Sequence, residues 1–129
     1  MLYTAQKSGN QDTSIIRYRI SEDNGQTWQP VGVLFDKAGT FVRQPVVVLD
    51  NGNWLVPVFY CRTRPGEKWV GNNHISAVRI SADQGITWSE YEVPDSVGCV
   101  HMNVEQLADG VDVAFEALDL LGKRAMCFG

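Results

Sequence analysis

Apolar residues alternate with polar ones in several short runs of this chain, and a period of two predicts β-strands. Ile16, Tyr18 and Ile20 fall on one face of a strand predicted over residues 14–20, a run rich in β-branched and aromatic types. Similar runs predict further strands over residues 28–35, 45–50, 54–60, 74–80, 89–93, 100–107, 111–117 and 124–128. No stretch shows a helical period, so an all-β chain is expected.

The spacers between these runs indicate how the strands are connected. Residues 6–13 are polar and contain Gly9-Asn10, which predicts a loop. Residues 45–50 are almost wholly apolar, as is typical of a strand buried on both faces. Asn51-Gly52 follows directly and is a strong hairpin signal. Residues 45–60 are therefore predicted to form a β-hairpin.

One eight-residue pattern occurs twice, sixty residues apart, and an internal repeat of this kind decides how the whole chain is interpreted. Its five shared positions are Ser21, Asp23, Gly25, Thr27 and Trp28 in one copy and Ser81, Asp83, Gly85, Thr87 and Trp88 in the other. The Asp can accept backbone hydrogen bonds, the Gly allows positive φ, and the Trp can pack over the turn. Each copy is predicted to be a self-stabilised turn with a structural role.

This pattern, S-x-D-x-G-x-T-W, is the Asp-box or BNR repeat, and the sequence resembles the sialidase-like six-bladed β-propellers. Residues 43–60 resemble the inner hairpin of a blade in that family, and residues 100–115 resemble the next one. The resemblance implies four-stranded antiparallel blades with Asp-box turns, and about two blade-equivalents in this chain. In that family the Asp-box lies on the face away from the active site.

The positions of the boxes predict one propeller segment over residues 1–129. Residues 1–35 would be a partial blade with the first box, residues 41–93 a complete blade with the second box, and residues 100–129 a second partial blade. Open blade sides favour association. We therefore expect a homo-oligomer, with three copies closing a ring; a fragment of a longer propeller is the alternative.

Composition limits the possible partners. The net charge of −4 and the pI near 5.0 argue against nucleic-acid binding. The longest apolar runs are too short to cross a bilayer, and residues 1–5 do not resemble a secretory signal, so a cytoplasmic location is expected. Three cysteines without C-x-x-C spacing favour unpaired thiols over a zinc site. Neither a metal nor another cofactor is expected.

Candidate ligand-binding residues come from the loops that such a propeller would place opposite its Asp-boxes. These loops carry polar and aromatic side chains of the kind that sugars need. The candidates are Arg43, Arg62, Trp69, His101, Asn103 and Glu116, and Gln44 lies in the same set of loops.

Sialidases resembling this fold use three arginines for the sugar carboxylate, a tyrosine nucleophile assisted by a glutamate, and an aspartic acid. Arg43 and Arg62 stand where the resemblance permits such arginines, but the F/Y-R-I-P motif is absent and Glu116 follows Phe115 where relatives carry arginine. The resemblance thus favours a carbohydrate-binding protein that lacks complete catalytic machinery. An exo-sialidase with a site assembled across subunits and a non-catalytic interaction scaffold remain alternatives.

Simpler roles are open for the same residues. Arg43 and Arg62 could be surface residues or ion-pair partners between blades, and His101 could be a hydrogen-bonded loop histidine. Tyr60 is interpreted as a packing residue in preference to a nucleophile. These alternatives differ in burial and contacts.

Overall fold

A computed structural model of the protein describes residues 1–62, 73–106, 113–119 and 124–128. The described residues form β-strands joined by turns and loops, with no helix. All strand pairs are antiparallel. The all-β prediction is confirmed.

The strands form three sheets that follow one another along the chain. The N-terminal sheet has the order β1-β2-β3, the central sheet β4-β6-β7-β8 with β5 also on β6, and the C-terminal sheet β11-β10-β9. The strands are β1 Leu2–Lys7, β2 Asn10–Tyr18, β3 Gly32–Phe35, β4 Thr40–Val42, β5 Val47–Val48, β6 Trp54–Tyr60, β7 Ile75–Ser81, β8 Ser89–Glu92, β9 Cys99–Gln106, β10 Val113–Asp119 and β11 Arg124–Phe128. The central sheet has the strand order of a complete propeller blade; closure of a ring is not part of this structure.

The predicted buried strand over residues 45–50 is wrong in its extent and its burial. Only Val47–Val48 pairs with β6 there, and Val48 is 62% exposed. Pro45 has no N–H to donate to a ladder, and Gln44 bonds to the neighbouring sheet instead. The innermost strand is therefore divided into β4 and β5, which together edge the sheet.

The predicted loop over residues 6–13 is also shorter than expected. β1 continues to Lys7 and β2 starts at Asn10, which pair directly across a two-residue turn. The hairpin at Asn51-Gly52 forms as predicted, and the N–H of Gly52 donates to the carbonyl of Leu49 at 2.8 Å.

The core lies between the sheets, because strand β6 presents alternate residues to its two neighbours. Val56, Val58 and Tyr60 pack with Ile16 and Phe35 of the N-terminal sheet. On the other side, residues 55 and 78 of the central sheet pack with residues 102 and 104 of the C-terminal sheet. Each sheet thus buries one face against the next, as propeller blades do.

Backbone hydrogen bonds reinforce the first of these contacts at Gly39. Its N–H donates to Ser14 at 2.9 Å, and its carbonyl accepts from Cys61 at 2.7 Å. The φ of Gly39 is +84°, and a Cβ at this position would lie 2.6 Å from the carbonyl oxygen of Cys61. Only glycine fits where the N-terminal and central sheets are tied together.

Candidate functional site

Connectivity separates the loops onto two ends of the sheets. β6 runs from the hairpin turn at Asn51-Gly52 to Arg62, and β7 returns to the second Asp-box. The two Asp-boxes and this hairpin therefore share one end, the Asp-box end. The opposite end carries residues 36–39, 61–62, 73–74 and 93–98, and we call it the loop end.

Both Asp-boxes have the predicted geometry. The Asp83 carboxylate accepts hydrogen bonds from the Thr87 N–H at 2.8 Å and the Ser81 hydroxyl at 2.7 Å, and the same hydroxyl accepts from the Gly85 N–H at 2.8 Å. In the first box, Asp23 accepts from Ser21 and Thr27 in the same way. All ten predicted Asp-box residues lie in these turns, away from the loop end.

These bonds also change the acidity of the two carboxyl groups. The hydroxyl and the N–H of Thr27 lower the pKa of Asp23 to about 2, and those of Thr87 do the same for Asp83. Both side chains are therefore ionised throughout the neutral range, with the charge held by the turn itself. This arrangement stabilises a turn and holds no proton for chemistry.

Arg43 and Asn103 lie beside a hydrogen-bonded link between the central and C-terminal sheets. The Gln44 side chain donates to the carbonyl of Val104 at 2.7 Å and accepts from its N–H at 2.8 Å. Arg43 precedes Gln44, Asn103 precedes Val104, and both side chains are exposed. Gln44, expected among the ligand-binding loops, is used as a structural clamp between the two sheets. Met102 and Val104 are buried against the central sheet, so the Asn103 side chain between them lies on the opposite side of β9.

Arg62 lies farther away. Val42 opposes Val58 in the β4–β6 ladder, so Arg43 falls level with Pro57, and Arg62 lies five residues beyond Pro57. At about 3.3 Å per residue the two arginine backbones are about 16 Å apart along the sheet. Arg62 is exposed at the loop end, whereas Arg43 lies along the inner edge.

The remaining candidates are placed only by their position in the chain. His101 lies in β9, and Glu116 lies in β10 directly opposite Asn103. Trp69 lies outside the described residues. Of the six candidates, the structure places Arg43 and the Asn103 backbone beside the Gln44 link between the central and C-terminal sheets, and Glu116 one strand farther along the C-terminal sheet.

A polar cluster that the sequence did not reveal lies between the N-terminal and central sheets. The Tyr60 hydroxyl donates to Glu90 at 2.5 Å and accepts from the Nε of Arg79 at 3.0 Å. Arg79 also forms a 3.0 Å ion pair with Glu90, and Lys37 lies 3.6 Å from Glu90 and 3.8 Å from the Tyr60 ring centroid. This Tyr60 cluster has four members from three strands and one loop.

Burial decides what the Tyr60 cluster can do chemically. Tyr60 is 2% exposed, and burial together with the hydrogen bond to Glu90 raises its pKa to about 12. For Glu90, burial raises the pKa, but the Tyr60 hydrogen bond and the charges of Lys37 and Arg79 outweigh it, so the pKa is lowered overall. A protonated phenol beside an ionised carboxylate packs the two sheets together and is poorly suited to act as a nucleophile.

His74 begins the return to β7 at the loop end and is fully buried. Its burial lowers the pKa below the ordinary value, which favours the neutral imidazole. Its carbonyl accepts from the N–H of Gly98 at 2.8 Å, which fixes the 93–98 loop against β7. His74 is a structural residue of this end.

The chain thus has three antiparallel sheets, two Asp-boxes and a loop end opposite them. Comparison with known protein families identifies the family to which it belongs. A family model of the BNR repeat-like domain matches residues 1–116. The chain belongs to the BNR repeat-like family. The BNR repeat-like match covers both Asp-boxes and the complete central sheet, and it supports the sialidase-like resemblance found in the sequence. No curated protein matches the chain.

Within the described residues of this BNR repeat-like chain, no group of three or more His, Cys, Asp or Glu side chains could hold a metal ion. The same residues include no helix long and apolar enough to span a membrane. Cys61 is buried.

Proposed function

We propose that this BNR repeat-like chain binds carbohydrate and does not hydrolyse it. The observation that argues against hydrolysis is the burial of Tyr60, and the exposed Arg43 supports binding. Among the described residues it is the tyrosine held by both a glutamate and an arginine, yet it lies between two sheets with its pKa raised to about 12. A buried, protonated tyrosine contributes to packing between the sheets, and its hydroxyl is not accessible to a ligand.

The binding region is assigned to the inner edge where the central and C-terminal sheets meet. Arg43 supplies a guanidinium, which can bind a carboxylate with two parallel hydrogen bonds. The Arg43 side chain is exposed, and the Gln44 clamp fixes its backbone against the C-terminal sheet. This guanidinium favours a glycan bearing an acidic sugar, with Arg62, Trp69, His101, Asn103 and Glu116 as further candidates from the sequence.

The test has two assays on the same folded protein. A glycan array selects a ligand, and calorimetry then compares the wild type with Arg43→Met. This substitution should weaken binding by about tenfold or more, since a hydrogen bond involving a charged group contributes roughly 1.5–3 kcal/mol. Lys7→Met, which removes an exposed cation on the N-terminal sheet, should leave affinity unchanged.

A fluorogenic sialoside assay addresses the second candidate, an exo-sialidase with a site completed across subunits. We expect no turnover above the uncatalysed rate. Turnover that disappears with Arg43→Met would overturn the proposal in favour of the hydrolase. Folded protein that binds no glycan on a broad array would instead support a non-catalytic scaffold.

A further inference from the structure

One side of the N-terminal sheet faces away from the central sheet and carries basic, apolar and aromatic residues. Ile16 and Phe35 are buried against the central sheet, so alternation along β2 turns Arg17 to the other side. Tyr3 and Val33 are the cross-strand partners of Arg17, and Val33 is 52% exposed. We call this side, with Arg19 and Trp28, the outer face of the N-terminal sheet.

The repeat shows what such a face is built to contact. Arg17, Arg19 and Trp28 lie sixty residues before Ala77, Arg79 and Trp88 of the central sheet. There, Trp88 packs against Phe35 with ring centroids 5.2 Å apart, and the Arg79 guanidinium lies 4.7 Å from the same ring. The equivalent face of the central sheet thus packs against another sheet. Trp28 remains 39% exposed.

The two faces differ in how their charge is balanced. Arg79 is neutralised by Glu90 at 3.0 Å, but Pro30 stands at the matching position of the first repeat. Among the described residues, no carboxylate lies within 4.0 Å of Arg17 or Arg19. The Nε of Arg19 donates to the carbonyl of Gln29 at 3.1 Å. The outer face of the N-terminal sheet is therefore basic and lacks the acid that its counterpart has.

The C-terminal sheet offers a complementary surface. Met102 and Val104 of β9 are buried against the central sheet, so Asn103 and Glu105 lie on the opposite side, and both are exposed. Among the described side chains of residues 1–62 and 73–106, no cation lies within 4.0 Å of Glu105. We call this side the outer face of the C-terminal sheet, and its described charge is negative.

We propose that copies of this chain associate head to tail, with the outer face of the N-terminal sheet of one copy packed on the outer face of the C-terminal sheet of the next. Arg17 and Glu105 pair across this contact, and Trp28 and Val33 become buried. The contact is heterologous, so it repeats until a ring closes or a filament grows. The proposal does not rest on the proposed function.

Strand pairing favours stacking of whole sheets over exchange of strands. β2 is already paired on both edges by β1 and β3, and β10 is paired on both edges by β9 and β11. The two outer sheets together have six strands, so merging them into a single four-stranded blade would have to release two strands that are already paired. The number of copies follows from how the stacking closes, and the ring of three expected from the sequence is one such closure.

The experiment measures absolute mass by light scattering over a range of protein concentrations. The average mass of the wild-type protein should rise with protein concentration from 14.4 kDa towards a multiple of that value. Arg17→Glu and Glu105→Arg should each weaken association by at least about tenfold, because each places like charges across the contact. Lys7→Glu makes the same charge change as Arg17→Glu at another exposed position of the N-terminal sheet, and it should leave the mass unchanged.

A double variant that carries both Arg17→Glu and Glu105→Arg gives the decisive result. Every head-to-tail contact between its copies again joins opposite charges, whatever the number of copies in the ring, so the double variant should regain the association that each single variant lacks. Far-ultraviolet circular dichroism confirms that each variant is folded. A monomeric wild type at all concentrations, or association that neither substitution weakens, would overturn the proposal.

Discussion

The indole of Trp88 meets the ring of Phe35 nearly edge-on, with ring centroids 5.2 Å apart and an interplanar angle of 83°. Trp88 ends the second Asp-box in the central sheet, and Phe35 ends β3 in the N-terminal sheet. The Nε1 of Trp88 donates to the carbonyl of Gly85 at 3.1 Å, so the indole also closes the turn of its own Asp-box. One side chain thus joins the local repeat to the contact between sheets.

Trp88→Ala should therefore destabilise the protein far more than Trp28→Ala. Replacing a well-packed aromatic residue by alanine costs about 3–5 kcal/mol, and Trp88 is partly exposed, so we expect about 2–4 kcal/mol. Trp28 is 39% exposed and should lose less than half of that amount. Urea denaturation, monitored by circular dichroism at low protein concentration, measures both values. Equal losses would mean that the contact with Phe35 contributes little.

The two Asp-box carboxylates should make stability depend on acid. The folded pKa of each is about 2, below the ordinary value of 3.8, so the unfolded chain binds protons more readily. Their contribution is present above about pH 4 and is lost as the pH falls from about 4 towards 2. The urea midpoint of the wild type should fall over that window.

A variant with both Asp23→Asn and Asp83→Asn should be less stable at pH 7 and should show a flatter dependence between pH 4 and 2. Glu22→Gln, an exposed carboxylate in the same turn, is the matched control and should leave the slope unchanged. An unaltered slope in the double Asn variant would show that these two carboxylates do not govern acid sensitivity.

The Asp-boxes were predictable because every bond in them joins residues at most four positions apart. The same holds for the hairpin at Asn51-Gly52. Such turns are determined by local sequence, so a motif of eight residues carries their geometry. The fold class followed from two copies of that motif together with strand periodicity.

Contacts between distant parts of the chain could not be read in this way. Gln44 bonds to Val104 sixty positions away, and in the Tyr60 cluster Tyr60 bonds to Glu90 thirty positions away. Nothing local distinguishes Gln44 from a loop glutamine or Glu90 from a surface acid. Gln44, expected among the ligand-binding loops, therefore has a structural role. The position of Glu90 beside Tyr60 could be seen only in the folded chain.

A third prediction concerns Gly39, whose backbone hydrogen bonds join the N-terminal and central sheets. Gly39→Ala should destabilise by roughly 2–4 kcal/mol, because alanine is strained at φ +84° and its Cβ would lie 2.6 Å from the carbonyl oxygen of Cys61. Gly9 has φ +71° with no atom within 4 Å of a Cβ, so Gly9→Ala should cost only the backbone strain, about 1 kcal/mol. Thermal unfolding of both variants separates the two effects. Equal losses would rule out the close approach to Cys61 as a cause.

Tyr60→Phe should destabilise the protein by about 1–2 kcal/mol, since it removes a hydroxyl bonded to Glu90 and Arg79 and leaves the ring in place. The wild type should also lose stability as the pH rises from about 10 to 12.

The folded pKa of Tyr60 is about 12, above the ordinary 10.0, so Tyr60 loses its proton at a lower pH in the unfolded chain than in the folded protein. Urea midpoints between pH 8 and 11.5 should fall less steeply for Tyr60→Phe than for the wild type. Tyr91→Phe removes a tyrosine whose side chain is 57% exposed, and it should keep the wild-type slope. A Tyr60→Phe variant with wild-type stability and slope would contradict the role assigned to the Tyr60 cluster. Loss of glycan binding in a stable variant would contradict the interpretation of Tyr60 as a packing residue.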